Sequence, residues 1–386
     1  SEALLEMMDA DVKHLAVIGE GGGVTGIITN SDILAAQEQS PFFIIQEING
    51  ASTMEEIIHV QCRLPRLVRN MIRGGAQSRV ITTLISKISD AIVTKLIGFA
   101  MDRLGPAPTS FVFMALGSEG RLEQTLKTDQ DNAIMFEDVP EALIEQVKVY
   151  FLKLGVQVCT WLDEAGYAFC KGNVMAQNPH WCQPVSKWKS FFKTWIRVST
   201  PKDLMEAAIF FDFRGAWGNM NLIDDLRRYL FDALAGWTRF FRDLATGALG
   251  FRPPTGIFRK FVLETKGPHR NQLDLKRAMT PVVDFARIYA LHHGISETNT
   301  QDRLFHLNLK KVFNKVDYNE LDLAYNHLMQ QRLLCQIHGI ENGEPPGNFI
   351  NPKTLSRFDQ TLLKEIFKRI ESVQRRMNLD FTGGIR

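Results

Sequence analysis

Two short apolar runs, FVFMAL at residues 111–116 and AIMF at 133–136, enclose a stretch crowded with glycine and carboxylates, and this block constrains the chain more than any other. Runs of this length bounded by turn formers read as buried strands. Gly105-Pro106 and Pro108 end whatever helix precedes them. Gly117-Ser118 directly follows the first run, where backbone N–H groups and a hydroxyl can approach phosphate oxygens with no side chain in the way. Arg121 follows closely enough to add a forked cation for the same oxygens. Asp129 and Asp131 stand two apart at the start of the second run, so both side chains share one face. Carboxylates so placed repel, and a hard divalent cation, Mg²⁺ or Mn²⁺, is the usual compensation.

A third carboxylate is expected from EAAIFFDFRG, residues 206–215. Read as a strand, it puts Phe210, Asp212 and Arg214 on one face and Ile209, Phe211 and Phe213 on the other. A charge in so apolar a segment calls for a metal or for an ion pair with Arg214.

Taken together, G-S-x-G-R-x-E at Gly117–Glu123, T-D-x-D at Thr128–Asp131 and the later D-F-R resemble the DNA-polymerase-β-like nucleotidyltransferase superfamily. Within it they resemble the bacterial CBS-containing nucleotidyltransferases of signal transduction, related to the PII-protein uridylyltransferase. The resemblance implies transfer of a nucleoside monophosphate from a nucleoside triphosphate to an acceptor hydroxyl, with release of pyrophosphate. It implies Asp129, Asp131 and Asp212 as metal ligands and catalytic carboxylates, with Gly117, Ser118 and Arg121 on the phosphates. It further implies a triphosphate-holding cation from the helical region, for which Lys276 is the candidate; the alternative is an ordinary solvated lysine. The acceptor it points to is a protein. A non-catalytic nucleotide-sensing scaffold that binds a partner is the competing reading.

Residues 14–29 alternate apolar positions around Gly21–Gly23, a hairpin signal, with helices expected at LLEMM and SDILAAQ. Gly26–Leu34 resembles the closing pattern of a CBS module, which implies an adenosine contact from Thr29 and Asp32. Barely half a module is present, so the alternative is a packing element in which Asp32 caps a helix. Paired CBS halves imply a homodimer. Ser52 with Glu55 forms a capping-box pattern. Helical spacing of Ile57, Val60, Leu64, Leu67, Val68 and Met71, then of Val80 through Ile97, gives a helical hairpin broken at Gly74-Gly75. Trp181, Trp188 and Trp195, spaced by seven, read as core, and Asn173 and Asn178 as loop formers.

The expected architecture is α+β. A partial CBS module (1–50) and a helical connector (51–104) precede a small mixed-sheet nucleotidyltransferase domain (105–218), followed by an all-α domain of about six helices (219–386). Forty-five Lys+Arg against 43 Asp+Glu leave +2, too little for a global field holding a nucleic acid. Five scattered cysteines without a Cys-x-x-Cys pair fit a reducing, cytoplasmic setting. No apolar run approaches the roughly 18 residues that cross a bilayer. Ser1 falls within an apparent helix, so the chain reads as part of a longer polypeptide.

Overall fold

The computed structural model describes residue 7 and residues 12–19, 21–29, 41–198, 200–256 and 260–384. Its centre is a four-stranded mixed sheet. Strands β3 (Phe111–Ala115) and β4 (Asn132–Phe136) are the two apolar runs, and every residue in both is buried. They pair antiparallel, with Phe111 opposite Phe136 and Ala115 opposite Asn132. Strand β6 (Arg214–Gly218) runs antiparallel along the other side of β3, and the short β5 (Cys182–Pro184) lies parallel to β4. The order is therefore β5-β4-β3-β6.

The N-terminal hairpin is present as β1 (His14–Ile18) and β2 (Val24–Thr29), paired antiparallel and largely solvent-facing. Most of the flanking LLEMM and all of SDILAAQ, Asp32 included, lie outside the described residues. Helix α1 (Pro41–Gly50) leads to α2 (Met54–Gln61), α3 (Leu64–Arg73) and the long α4 (Ser78–Leu104). The first arm of the expected hairpin is thus two helices, and Pro65 in the first turn of α3 explains the break, since proline cannot donate to a preceding turn. The cap also falls one residue later than expected: Thr53 accepts from the Glu56 amide, and Glu56 reaches back to the Ser52 amide at 2.6 Å.

After the one-turn α5 (Gly117–Gly120), α6 (Glu141–Glu164) packs beside α4. Helix α7 (Val185–Arg197) carries the tryptophan ladder into the core. Trp188 is fully buried, while Trp181 and Trp195 are half-buried and stack on Phe210 with centroids 4.2 and 4.9 Å apart.

The segment expected as a third catalytic strand is not one. Thr200 and Asp203 form a capping box that starts α8 (Pro201–Ala207), and a 3-10 turn (Ala208–Phe211) follows, so extended structure begins only at Arg214. Phe210, Phe211 and Phe213 are all buried, because successive residues of the turn point into different parts of the core. Strand-like alternation was a coincidence of that packing.

The C-terminal region holds α9 (Met220–Leu234), α10 (Thr238–Ala248), α11 (Leu275–His292), α12 (Thr300–Leu309), α13 (Lys315–Glu341) and α14 (Arg357–Thr382). One departure from an all-α reading is a two-residue pairing of β7 (Leu273–Asp274) with β8 (Phe349–Ile350). Among the described residues, no helix is long and apolar enough to cross a membrane.

Candidate active site

The Gly-Ser turn and the two aspartates are held against each other by backbone. Leu116 donates its amide to the Asp131 carbonyl at 2.8 Å, and Gly117 then turns with φ +55°, a conformation glycine adopts freely. A β-carbon at Gly117 would stand 2.8 Å from Ile209 Cγ1 and 3.2 Å from Asp131 Oδ2. At Gly120 it would stand 1.8 Å from the Asp212 carbonyl oxygen, so glycine there is a condition of the turn packing on its neighbour.

Asp129 pairs with Ala168 in an isolated bridge. The intervening Gln130 points inward, donating to the Cys159 and Tyr167 carbonyls at 2.9 and 2.8 Å. Alternation then turns Asp129 and Asp131 the other way, where their oxygens and the Cys170 sulfur all lie within 4.8 Å of one another. Burial, then the Asp129 charge, raises Asp131 to about 6. Two crowded carboxylates, one of them resisting ionisation, are a donor set that a hard divalent cation fits. Cys170 is brought beside them, but burial pushes its thiol upward and a neutral thiol is a poor ligand for such a cation. Burial also raises the carboxyl of the nearby Glu119, to about 8, against the pull of Arg214.

Asp212, expected beside the two aspartates, is placed elsewhere. It is completely buried, and three guanidinium groups hold it: Arg121 at 2.7 Å, Arg287 at 2.6 Å and Arg303 at 2.6 Å. Despite burial these cations keep its carboxyl far below the usual range. Asp212 is not among the clustered groups at Asp129 and Asp131, and Arg214 pairs with Asp90 rather than with it. Arg121, expected on phosphate, is committed to Asp212 and to Glu123, the latter at 2.7 Å. Tyr325 and the Thr300 amide close the network by donating to Glu123, each at 2.7 Å. Thr298 and Asn299 donate to the carbonyls of Gly120 and Arg121. The second half of the glycine motif therefore anchors the turn to the helical region. Arg287 and Arg303 had gone unnoticed, although Asp284 and Arg287, one helical turn apart in the apolar VVDFARIYAL, mark a buried ion pair in the sequence.

From the helical side, Lys276 reaches to 4.0 Å from Asp129 Oδ1 and remains half-exposed. Asp274 caps α11 by accepting from the Arg277 amide, and the Leu275 amide donates to the Asn348 carbonyl. These bonds fix where Lys276 begins. Asn173 adopts φ +54°, and Asn178 bonds the Asn173 carbonyl and the His180 amide, so both serve their loop.

Residues 62–202 match the family model described as "Putative nucleotidyltransferase DUF294", and residues 238–381 match "Putative nucleotidyltransferase substrate binding domain". No curated protein matches the chain.

Proposed function

We propose, for a chain that belongs to the DUF294 nucleotidyltransferase family, that Asp129 and Asp131 form a metal-dependent centre transferring a nucleoside monophosphate to a hydroxyl on a protein. The observation that carries this reading is the convergence of the two carboxylates beside the Gly117-Ser118 turn. A bound Mg²⁺ or Mn²⁺ would be held by Asp129 and Asp131 and would supply charge neutralisation for the phosphates. Gly117, Ser118 and the turn amides would seat the triphosphate, with Lys276 contributing a cation from the helical side. In the reaction, the acceptor oxygen bonds to the α-phosphorus, the α–β bridging bond breaks, and pyrophosphate departs. The acceptor proton passes to one of the two site carboxylates, since both oxygens of Asp212 are held by arginines. A protein acceptor accords with the near-balanced charge, which offers little long-range attraction to a nucleic-acid primer. The N-terminal hairpin fits a CBS fragment, with Thr29 at the end of β2, and pairing through such fragments would make the protein a homodimer.

One observation favours a second reading, nucleotide binding without turnover: with Asp212 held by arginines, the acidic cluster among the described residues has two carboxylates, Asp129 and Asp131. Calorimetric titration with non-hydrolysable nucleoside triphosphates, with and without Mg²⁺, beside the double variant Asp129→Asn/Asp131→Asn, tests the site. Metal-dependent binding lost in the variant supports it, and undiminished binding refutes it. Pyrophosphate release on adding acceptor proteins then separates transfer from sensing.

A further inference from the structure

Helix α13 buries Tyr325, Leu328, Met329 and Ile337 on one face, and Arg332 lies among them with only 7% of its surface exposed. An arginine cannot shed its charge to suit such a place, so it normally holds an acid. Arg287 and Arg303, the other buried arginines among the described residues, both grip Asp212. Arg332 has no carboxylate partner among the described residues. Among the described residues its one hydrogen bond runs from Nε to Asn348 Oδ1 at 2.8 Å, and the two terminal amino groups have no acceptor there.

Its surroundings say what those amino groups await. The same Asn348 oxygen accepts from Gln336 at 2.9 Å, and Gln336 also donates to the Thr125 hydroxyl and accepts from the Lys127 amide. Gln336 thereby braces the loop that leads into Asp129. The Asn348 carbonyl accepts from Leu275, the residue before Lys276. Arg332 is therefore fixed in the corner where the aspartate loop meets the start of α11, and Asp129 and Asp274 lie near enough to act on its charge. Lys276 approaches the same aspartate from the exposed side.

We propose that Arg332 is a polyphosphate-binding residue, whose free amino groups fork onto the phosphates of the nucleotide donor while Lys276 adds a mobile point charge. This rests on the nucleotidyltransferase reading and adds to it a rigid cation contributed by the helical region. A planar fork held by Asn348 is pre-organised for two phosphate oxygens, as an ammonium is not. It also gives a role to a buried guanidinium that no carboxylate bonds among the described residues.

The test measures calorimetric affinity for a non-hydrolysable nucleoside triphosphate with Mg²⁺, for inorganic tripolyphosphate and for a nucleoside monophosphate, using wild type, Arg332→Gln and Arg332→Lys. Triphosphate and tripolyphosphate are expected to weaken by about tenfold or more in Arg332→Gln and by less in Arg332→Lys, with the monophosphate little changed. The ligand-free melting temperature of Arg332→Gln is expected to equal or exceed that of wild type, because a buried charge with no bonded carboxylate has gone. Equal affinity of wild type and variants for tripolyphosphate overturns the inference. So does a ligand-free melting temperature lowered in both variants, or failure of both to fold, because the arginine is then structural. A wild-type protein that binds no nucleoside triphosphate overturns the nucleotidyltransferase reading itself, a result distinct from binding that ignores Arg332.

Discussion

Replacing Asp212 by asparagine separates a structural carboxylate from a catalytic one. In the native fold its two oxygens receive guanidinium groups from Arg121, Arg287 and Arg303 at 2.6–2.7 Å, with no exposure to water. Glu123 and Asp284 balance two of the three cations. The substituted amide would keep one acceptor oxygen and leave one net positive charge in a sealed space, and no arginine can release a proton to relieve it. Removing one partner of a buried pair costs about 3–5 kcal/mol, and sharing among three arginines places Asp212→Asn toward the upper end. For a chain of this size that is a fall in melting temperature on the order of 10 °C. Urea unfolding followed by circular dichroism gives the free energy from the midpoint at constant slope, and calorimetry on the surviving folded fraction reports Mg²⁺-dependent nucleotide binding. The expected outcome is a large loss of stability with nucleotide affinity retained below the new midpoint. A variant as stable as wild type that binds no nucleotide would refute the reasoning and return Asp212 to the proposed metal site.

Asp131 has a folded value of about 6, above its ordinary 3.8, so the folded state holds its proton more tightly than the unfolded state does. Its contribution to stability is full below pH 4 and lost as the pH rises through 6; in metal-free protein the melting temperature of wild type minus that of Asp131→Asn is expected to fall across that window, and a flat difference would count against the raised value. Lys276→Ala, at a half-exposed side chain, is expected to leave the unfolding free energy within about 0.5 kcal/mol while weakening nucleoside triphosphate binding several-fold; unchanged affinity would make it an ordinary surface lysine. Gly120→Ala forces a methyl against the Asp212 carbonyl and is expected to cost at least the ~1–3 kcal/mol typical of overpacking, read from the urea midpoint, so a wild-type midpoint would mean that the turn can shift freely.

What the sequence disclosed and what it hid divide along the range of the interactions involved. Strands β3 and β4, the Gly117-Ser118 turn and the Asp129/Asp131 spacing are set by alternation and steric freedom within a few residues, and they were legible. The tryptophan ladder was legible for the same reason. Asp212 was not, because Arg287 and Arg303 arrive from 75 and 91 residues further on, and the neighbouring phenylalanines imitated a strand while packing around a 3-10 turn. Arg332 is not marked by any motif or spacing of chemical groups in the sequence. It had a local signal all the same, since it stands on the apolar face at positions i+3 from Met329 and i+7 from Tyr325.

The arrangement of the Gly117–Glu123 motif carries a consequence for how the helical region acts. Its first residue, Gly117, packs against Asp131, while its second half, Arg121 and Glu123, is bonded to Asp212, Thr300 and Tyr325. Only Glu119 and Gly120 lie between Ser118 and Arg121, so the Gly117-Ser118 turn cannot move independently of α12 and α13. Gln336 holds the aspartate loop from α13 as well, through Thr125 and Lys127. Removing residues beyond 218 would therefore expose the charges of Arg121 and Glu123 and release both sides of the site together. The helical region thus frames the proposed site: it positions the turn and the aspartate loop, and it brings Lys276 to 4.0 Å from Asp129.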